Sequence, residues 1–141
     1  MTYLVDANVL SEPTKPAPNP RVIDWLGRHE GEFVVDAVVL GELYVGILGR
    51  PAGRKPIELE RWFESVVRVL DCLPWDGAVG RRWARLVVQL KREGRSLPLL
   101  DSMIAATALQ HDLTVVTRNV HDFGHAGVKV VDPFRSPSGQ G

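Results

Sequence analysis

Cys72 is the only cysteine in a chain of 141 residues. No intramolecular disulfide can form and a four-cysteine zinc site is excluded, so a reducing compartment fits best. Net charge is also missing, because 17 Lys and Arg balance 17 Asp and Glu. The chain as a whole therefore has no general attraction for nucleic acid, and any such contact must come from a local patch. No apolar run approaches ~18 residues free of charge, so no membrane span is expected. The opening MTYLVD has neither a basic region nor a long apolar core, which predicts no signal peptide. These absences together predict a cytoplasmic protein. Nucleotide motifs are absent too. No G-x-G-x-x-G occurs, and Gly41 to Gly46 has the gap of a P-loop but is followed by Ile47 where Lys is required.

What remains is ordinary for a globular domain: 45% hydrophobic and 24% charged residues. At this length folding buries roughly two-thirds of the unfolded surface, enough for one core. Short β-like runs at residues 3–6, 33–36, 69–73, 114–117 and 128–131 alternate with helical patterns. A turn is expected at Ala7 and Asn8. The four prolines of EPTKPAPNP predict an extended loop over residues 12–20. Helices are expected over residues 21–30, 38–48 and 57–70, with GRPAGRKP at 49–56 as the break before the third. Asp76 is a plausible N-cap for a helix to about Glu93. Pro98 introduces another that runs to about His111. The pattern predicts a single-domain three-layer α/β/α sandwich around a mostly parallel sheet, occupying residues 1–132. PFRSPSGQG, residues 133–141, reads as a flexible C-terminal tail.

The informative residues are acids in the wrong company. Asp6 is the only charge in MTYLVDANVL, Glu42 the only one in VVLGELYVGIL, and Asp101 the only one from Leu97 to Leu109. The apolar LTVVTRNVHDF breaks into Arg118, Asn119 and Asp122. An unpaired buried charge costs several kcal/mol, so such acids are paired, protonated or cation-bound. Each alone has a plain explanation: a turn cap, an exposed helix stripe, an early-helix acid favoured by the dipole. Four of them in four apolar segments point to one site assembled from distant parts of the chain. Ligands sit outside the carboxyl ends of parallel strands, where Asp6, Asn119 and Asp122 are expected. Clustered carboxylates repel unless a cation neutralises them, and oxygen-only ligands select a hard ion such as Mg²⁺ or Mn²⁺, suited to phosphoryl chemistry.

Other features carry less. Arg81, Arg82, Arg85, Lys91, Arg92 and Arg95 form a basic helix, either a solvated face or a surface for a phosphate backbone. Trp25, Trp62 and Trp83 fall on apolar stripes and read as core or interface. Arg118 reads as a surface residue. His29, His111, His121 and His125 show no metal-ligand spacing and read as structural or solvent-facing.

Asp6 in VDANVLSE, Glu42 in GELYVGI, Asp101 in LLDSMIAATAL and the block VVTRNVHDF resemble, in order and spacing, the motifs of PIN-domain proteins. The likeness is to the VapC-type toxins of bacterial toxin–antitoxin pairs, and it covers residues 3 to about 132. The resemblance implies a small α/β/α domain that acts as a Mg²⁺-dependent endoribonuclease and is held inactive by a cognate antitoxin, as a homodimer or a hetero-oligomer with it. It further implies that Asp6, Glu42 and Asp101 ring the metal, with Mn²⁺ a possible substitute. Asp122 is expected as the fourth acid, with Asn119 the other candidate for that position. The usual small hydroxyl residue after the first acid is Ala7 here, which leaves one hydrogen bond beside Asp6 without its donor, although Asn8 is retained. Two other readings stay open: a PIN-like scaffold that binds RNA or protein without cutting, and a phosphate-ester hydrolase of the aspartyl-nucleophile kind. The second usually wants two acids flanking one residue, and Asp6-Ala7-Asn8 has one.

Overall fold

The computed structural model describes residues 2–51 and 54–135, the side chains of residues 54 and 55 excepted. Five strands form one sheet: β1 (Tyr3–Val5), β2 (Phe33–Asp36), β3 (Cys72–Leu73), β4 (Thr114–Val116) and β5 (Val130–Val131). Their order is β3-β2-β1-β4-β5, and every neighbouring pair is parallel. The sheet is thus wholly rather than mostly parallel.

Successive strand residues point to opposite faces. Leu4 and Val5, Val34 and Val35, and Val115 and Val116 are nevertheless all buried. Both faces must be covered, which makes three layers and explains why these strands read as continuous apolar runs. The covering helices are α1 (Ala7–Leu10), α2 (Pro20–Arg28), α3 (Ala37–Leu48), α4 (Arg54–Val69), α5 (Gly77–Arg92), α6 (Leu99–His111) and α7 (Val120–His125).

Several boundaries differ from expectation for local reasons. The turn at Ala7 and Asn8 is the start of α1, because the Asp6 carboxylate accepts the Ala7 N–H at 2.8 Å and begins a helix. Residues 12–20 are not extended throughout. Glu12–Thr14 form a 3₁₀ turn, and Pro20 opens α2 with Asn19 as its cap, its Oδ1 2.9 Å from the Arg21 amide. Helix α4 runs to Val69, which shortens the strand expected over 69–73 to Cys72–Leu73. Of the break over 49–56, Ala52 and Gly53 lie outside the described residues, and α4 has begun by Arg54. At the C-terminus Pro133 and Phe134 are buried, and the Phe134 amide donates to Asp132 Oδ1 at 2.9 Å. The packed chain therefore reaches Phe134, and residues 136–141 of the expected tail lie outside the description.

Helix α6 is the most enclosed helix. Ser102 and residues 104–108 are buried, and small side chains at 105, 106 and 108 let α5 approach closely. Two indoles hold its first turns: Trp75 donates to the Met103 carbonyl at 3.0 Å and Trp83 to Ser102 Oγ at 2.9 Å. Among the described residues no helix is long and apolar enough to cross a membrane.

Candidate active site

The strand order reverses direction at the β1–β4 pair, which is where open parallel sheets place their ligand crevice. Asp6 follows β1 at that point and is buried. Besides the Ala7 amide it accepts the Thr117 hydroxyl at 2.7 Å and the Asn8 side-chain amide at 3.3 Å, both on Oδ2. Burial raises its pKa, and the Thr117 and Ala7 bonds partly offset that rise.

Glu42 is presented by α3, whose cap is Asp36. Its side chain is half-buried, and Oε1 is shielded from solvent without a hydrogen-bond partner. Burial, followed by the charges of Asp6, Asp101 and Asp36, pushes its pKa up to about 7. Asp101 lies in the first turn of α6, half-buried, and is raised by burial and then by the charge of Asp6. Asp122 lies in the first turn of α7. Four acids expected to share a site thus come from four parts of the chain, and the charge of Asp6 acts on both Glu42 and Asp101.

Asn119 occupies the cap position of α7, yet its side chain makes no capping bond. It donates instead to Asp101 Oδ2 at 2.6 Å and to Asp122 Oδ2 at 3.0 Å. Its backbone amide reaches Thr117 Oγ1 at 3.0 Å. Thr117 is therefore the hub the sequence reading missed, and its hydroxyl serves Asp6 where residue 7 has none. Asp36 was missed as well. It is fully buried, and its signal was the same as that of the other acids: one carboxylate in the apolar run FVVDAVVLG. Burial raises its pKa against bonds from Thr107, Val39 and Val38, and the Asp6 charge raises it further.

A third buried acid, Glu12, is neutralised locally. Its burial is outweighed by the Asn19 amide at 2.8 Å and the Lys15 ammonium at 3.0 Å, so its pKa falls below the usual carboxylate value.

The donor set suits a hard cation, because every candidate ligand is oxygen and Glu42 Oε1 is unsatisfied. Among the described residues no three His, Cys, Asp or Glu side chains converge closely enough to hold an ion as placed.

The remaining candidates fall elsewhere. The Arg118 guanidinium lies 3.7 Å from the Phe134 ring centroid, and its backbone amide donates to Asn8 Oδ1. Trp25 is buried against His29 at 4.2 Å, and Trp83 is committed to Ser102. His121 and His125 stand one helical turn apart on α7, with rings 4.3 Å apart. On α5, Arg81, Arg85, Lys91 and Arg92 are exposed, whereas Arg82 is half-buried with an unbonded Nε.

A wholly parallel five-stranded sheet, with helices on both faces and Asp6 at its switch point, defines the fold as an α/β domain with an acidic candidate site. The chain belongs to the PIN-domain family, whose profile matches residues 3–128. It is 37% identical over 135 residues to Toxin FitB of Neisseria gonorrhoeae, covering 93% of this chain and 97% of that protein. It is 33% identical to VapC ribonuclease Y4jK of Sinorhizobium fredii, covering 93% and 96% of the two chains. Among solved structures, FitAcB from Neisseria gonorrhoeae superposes with a TM-score of 0.91 at 34% identity, over 96% of this chain and all of that one. VapBC2 from Rickettsia felis, at 18% identity and a TM-score of 0.80, shares the fold.

Proposed function

We propose that this chain is a metal-dependent endoribonuclease, the toxin of a toxin–antitoxin pair that acts in the cytoplasm. The observation that carries the reading is Glu42: a shielded, unbonded carboxylate oxygen with a pKa of about 7, raised by burial and by the charges of three other acids. That environment favours a proton or a cation, and a Mg²⁺ or Mn²⁺ ion satisfies it best. Full-length similarity to proteins named toxin and VapC ribonuclease supports both halves of the reading.

Asp6, Glu42 and Asp101 hold the ion in this scheme, and Asp122 adds the fourth negative charge. When bound, the ion supplies a Lewis acid that activates water and stabilises charge on the phosphate. The rest is the work of the chain. Thr117 and the Ala7 amide fix the orientation of Asp6, and Asn119 keeps Asp101 and Asp122 from swinging apart. Outer hydrogen bonds of this kind orient ligands and tune their basicity. The test is a metal-titrated assay on mixed RNA: cleavage with Mg²⁺ or Mn²⁺ that EDTA abolishes. Binding without cutting at any metal concentration would return the chain to the scaffold reading, and cleavage of small phosphate esters alone to the hydrolase reading.

The partner follows from apolar surface. Val45, Leu48 and Ile57 are 70%, 64% and 57% exposed on α3 and α4. A cleft of about 590 Å³ is lined by Leu10, Leu26, Phe33, Trp62, Val66 and Leu70 among others. An antitoxin would lay the apolar face of an amphipathic helix there and shield the acids, in a hetero-oligomer built on single or paired copies of this chain. Expressing the chain alone in a bacterium should arrest growth, and the adjacent upstream reading frame should relieve the arrest. Harmless expression of an active chain sinks the toxin role.

A further inference from the structure

Asp36 ends β2 and is fully buried, more so than Asp6, Glu12 or Asp132. Its two oxygens are divided between two helices. Oδ1 accepts the Val39 amide at 2.8 Å and caps α3, while Oδ2 accepts the Thr107 hydroxyl of α6 at 2.7 Å. Helix α3 carries Glu42 and α6 carries Asp101. A cap alone does not call for a carboxylate, because Ser or Thr caps a helix as well without enclosing a charge. The second oxygen, bonded to a residue 71 positions away, is what a shorter side chain would lack.

We propose that Asp36 is a positioning residue for the acid cluster. Through the Val39 amide and the Thr107 hydroxyl it sets the spacing of α3 and α6, and with it the separation of Glu42 from Asp101. The inference rests on the metal-site reading above and adds to it a control that touches neither ion nor RNA. A cation-binding set tolerates little drift in the distance between its ligands, so a buried strut between the helices acts directly on affinity.

The experiment is Mn²⁺ binding to the full chain without RNA, followed by calorimetry, alongside thermal melting to confirm that each variant is folded. Thr107→Val keeps the shape of the side chain and removes only the hydroxyl. It should weaken Mn²⁺ binding roughly tenfold, the low end of what loss of an outer hydrogen-bond partner costs. Asp36→Ala, which removes both bonds, should weaken it at least as much, and adding Thr107→Val should cost nothing further, since the Thr107–Asp36 bond is already gone. Asp36→Asn still offers an acceptor to Val39 and an amide to the Thr107 oxygen, and should stay close to wild type. Unchanged affinity in folded Thr107→Val overturns the positioning role and leaves the metal site standing. So does an Asp36→Asn loss as large as that of Asp36→Ala, which would make charge the operative property. A wild type that binds no Mn²⁺ overturns both readings. Should Asp36→Ala fail to fold, Thr107→Val and Asp36→Asn decide the matter.

Discussion

The side-chain amide of Asn119 donates to Oδ2 of Asp101 at 2.6 Å, joining the start of α7 to the start of α6. The same amide holds Asp122 at 3.0 Å. One neutral side chain therefore lies between two acids and carries no charge for a cation to use. Asp122→Asn should weaken Mn²⁺ affinity by roughly tenfold or more, and Asn119→Ala by less, because the first removes an anion and the second an orienting bond. Calorimetry on both variants checks the order. The reverse order would make Asn119 the metal-site residue and Asp122 a first-turn acid that serves its own helix.

Asp101→Asn keeps the size of the side chain and its place in α6 while removing the charge. Several kcal/mol of charge stabilisation depend on the ion, so RNA cleavage should fall roughly 100-fold or more. Circular dichroism and melting temperature should stay close to wild type, since Asp101 is half-buried at a helix start. A variant that cuts at the wild-type rate would end the metal-site reading.

The raised acids set a pH dependence of defined sign. Glu42 rises from 4.5 unfolded to about 7 folded, and Asp6, Asp36 and Asp101 are raised as well. The folded chain binds more protons than the unfolded one between those values. The stability Glu42 contributes is complete below 4.5 and is lost as pH rises through about 7. Glu12 has the opposite sign, but its change lies below the ordinary carboxylate range. In EDTA the melting temperature should therefore fall between about pH 5 and about pH 8. Mg²⁺ should restore it most at the alkaline end, because the ion binds the deprotonated carboxylates. A melting temperature that is flat or rising over that window in EDTA contradicts the clustering of these acids.

Helix α5 offers a test of RNA contact. Arg81 and Arg85 are exposed one turn apart, whereas Arg82 has a buried Nε and would disturb packing if reversed. In an Asp101→Asn background that leaves RNA intact, Arg81→Glu with Arg85→Glu should weaken binding and flatten its salt dependence. Each lost phosphate contact on a single strand reduces the slope by about 0.7. An unchanged slope would make this face merely solvated.

Much of this could be read in the sequence because burial leaves a chemical imprint. The strands showed as unbroken apolar runs, since both sheet faces are covered, and the acids at 6, 42 and 101 stood out against those runs. Helix α1 was hidden because four residues give too short a period, and the Asp6 cap that starts it resembles an ordinary turn. Strands β3 and β5 have two residues each, below what periodicity can delimit. Asp36 carried the right signal but sat at a strand end, where an acid passes as a turn residue. Thr117 had no local signal at all. Its role exists only because β4 lies beside β1, which brings it to Asp6 across 111 positions. Ala7 appeared to leave a gap in the bonds to Asp6, and the structure fills that gap from the far end of the chain.

The central place of β1 also fixes when the site can exist. Strand β1 is flanked by β2 on one side and, on the other, by a strand that begins only at Thr114. While the chain is still emerging from the ribosome, Asp6, Glu42 and Asp101 are already made, but their restraints Thr117 and Asn119 are not. The open edge of β1 closes only as β4 folds back beside it. Order of synthesis thus leaves the first acid of the cluster without its threonine restraint until β4 lies beside β1.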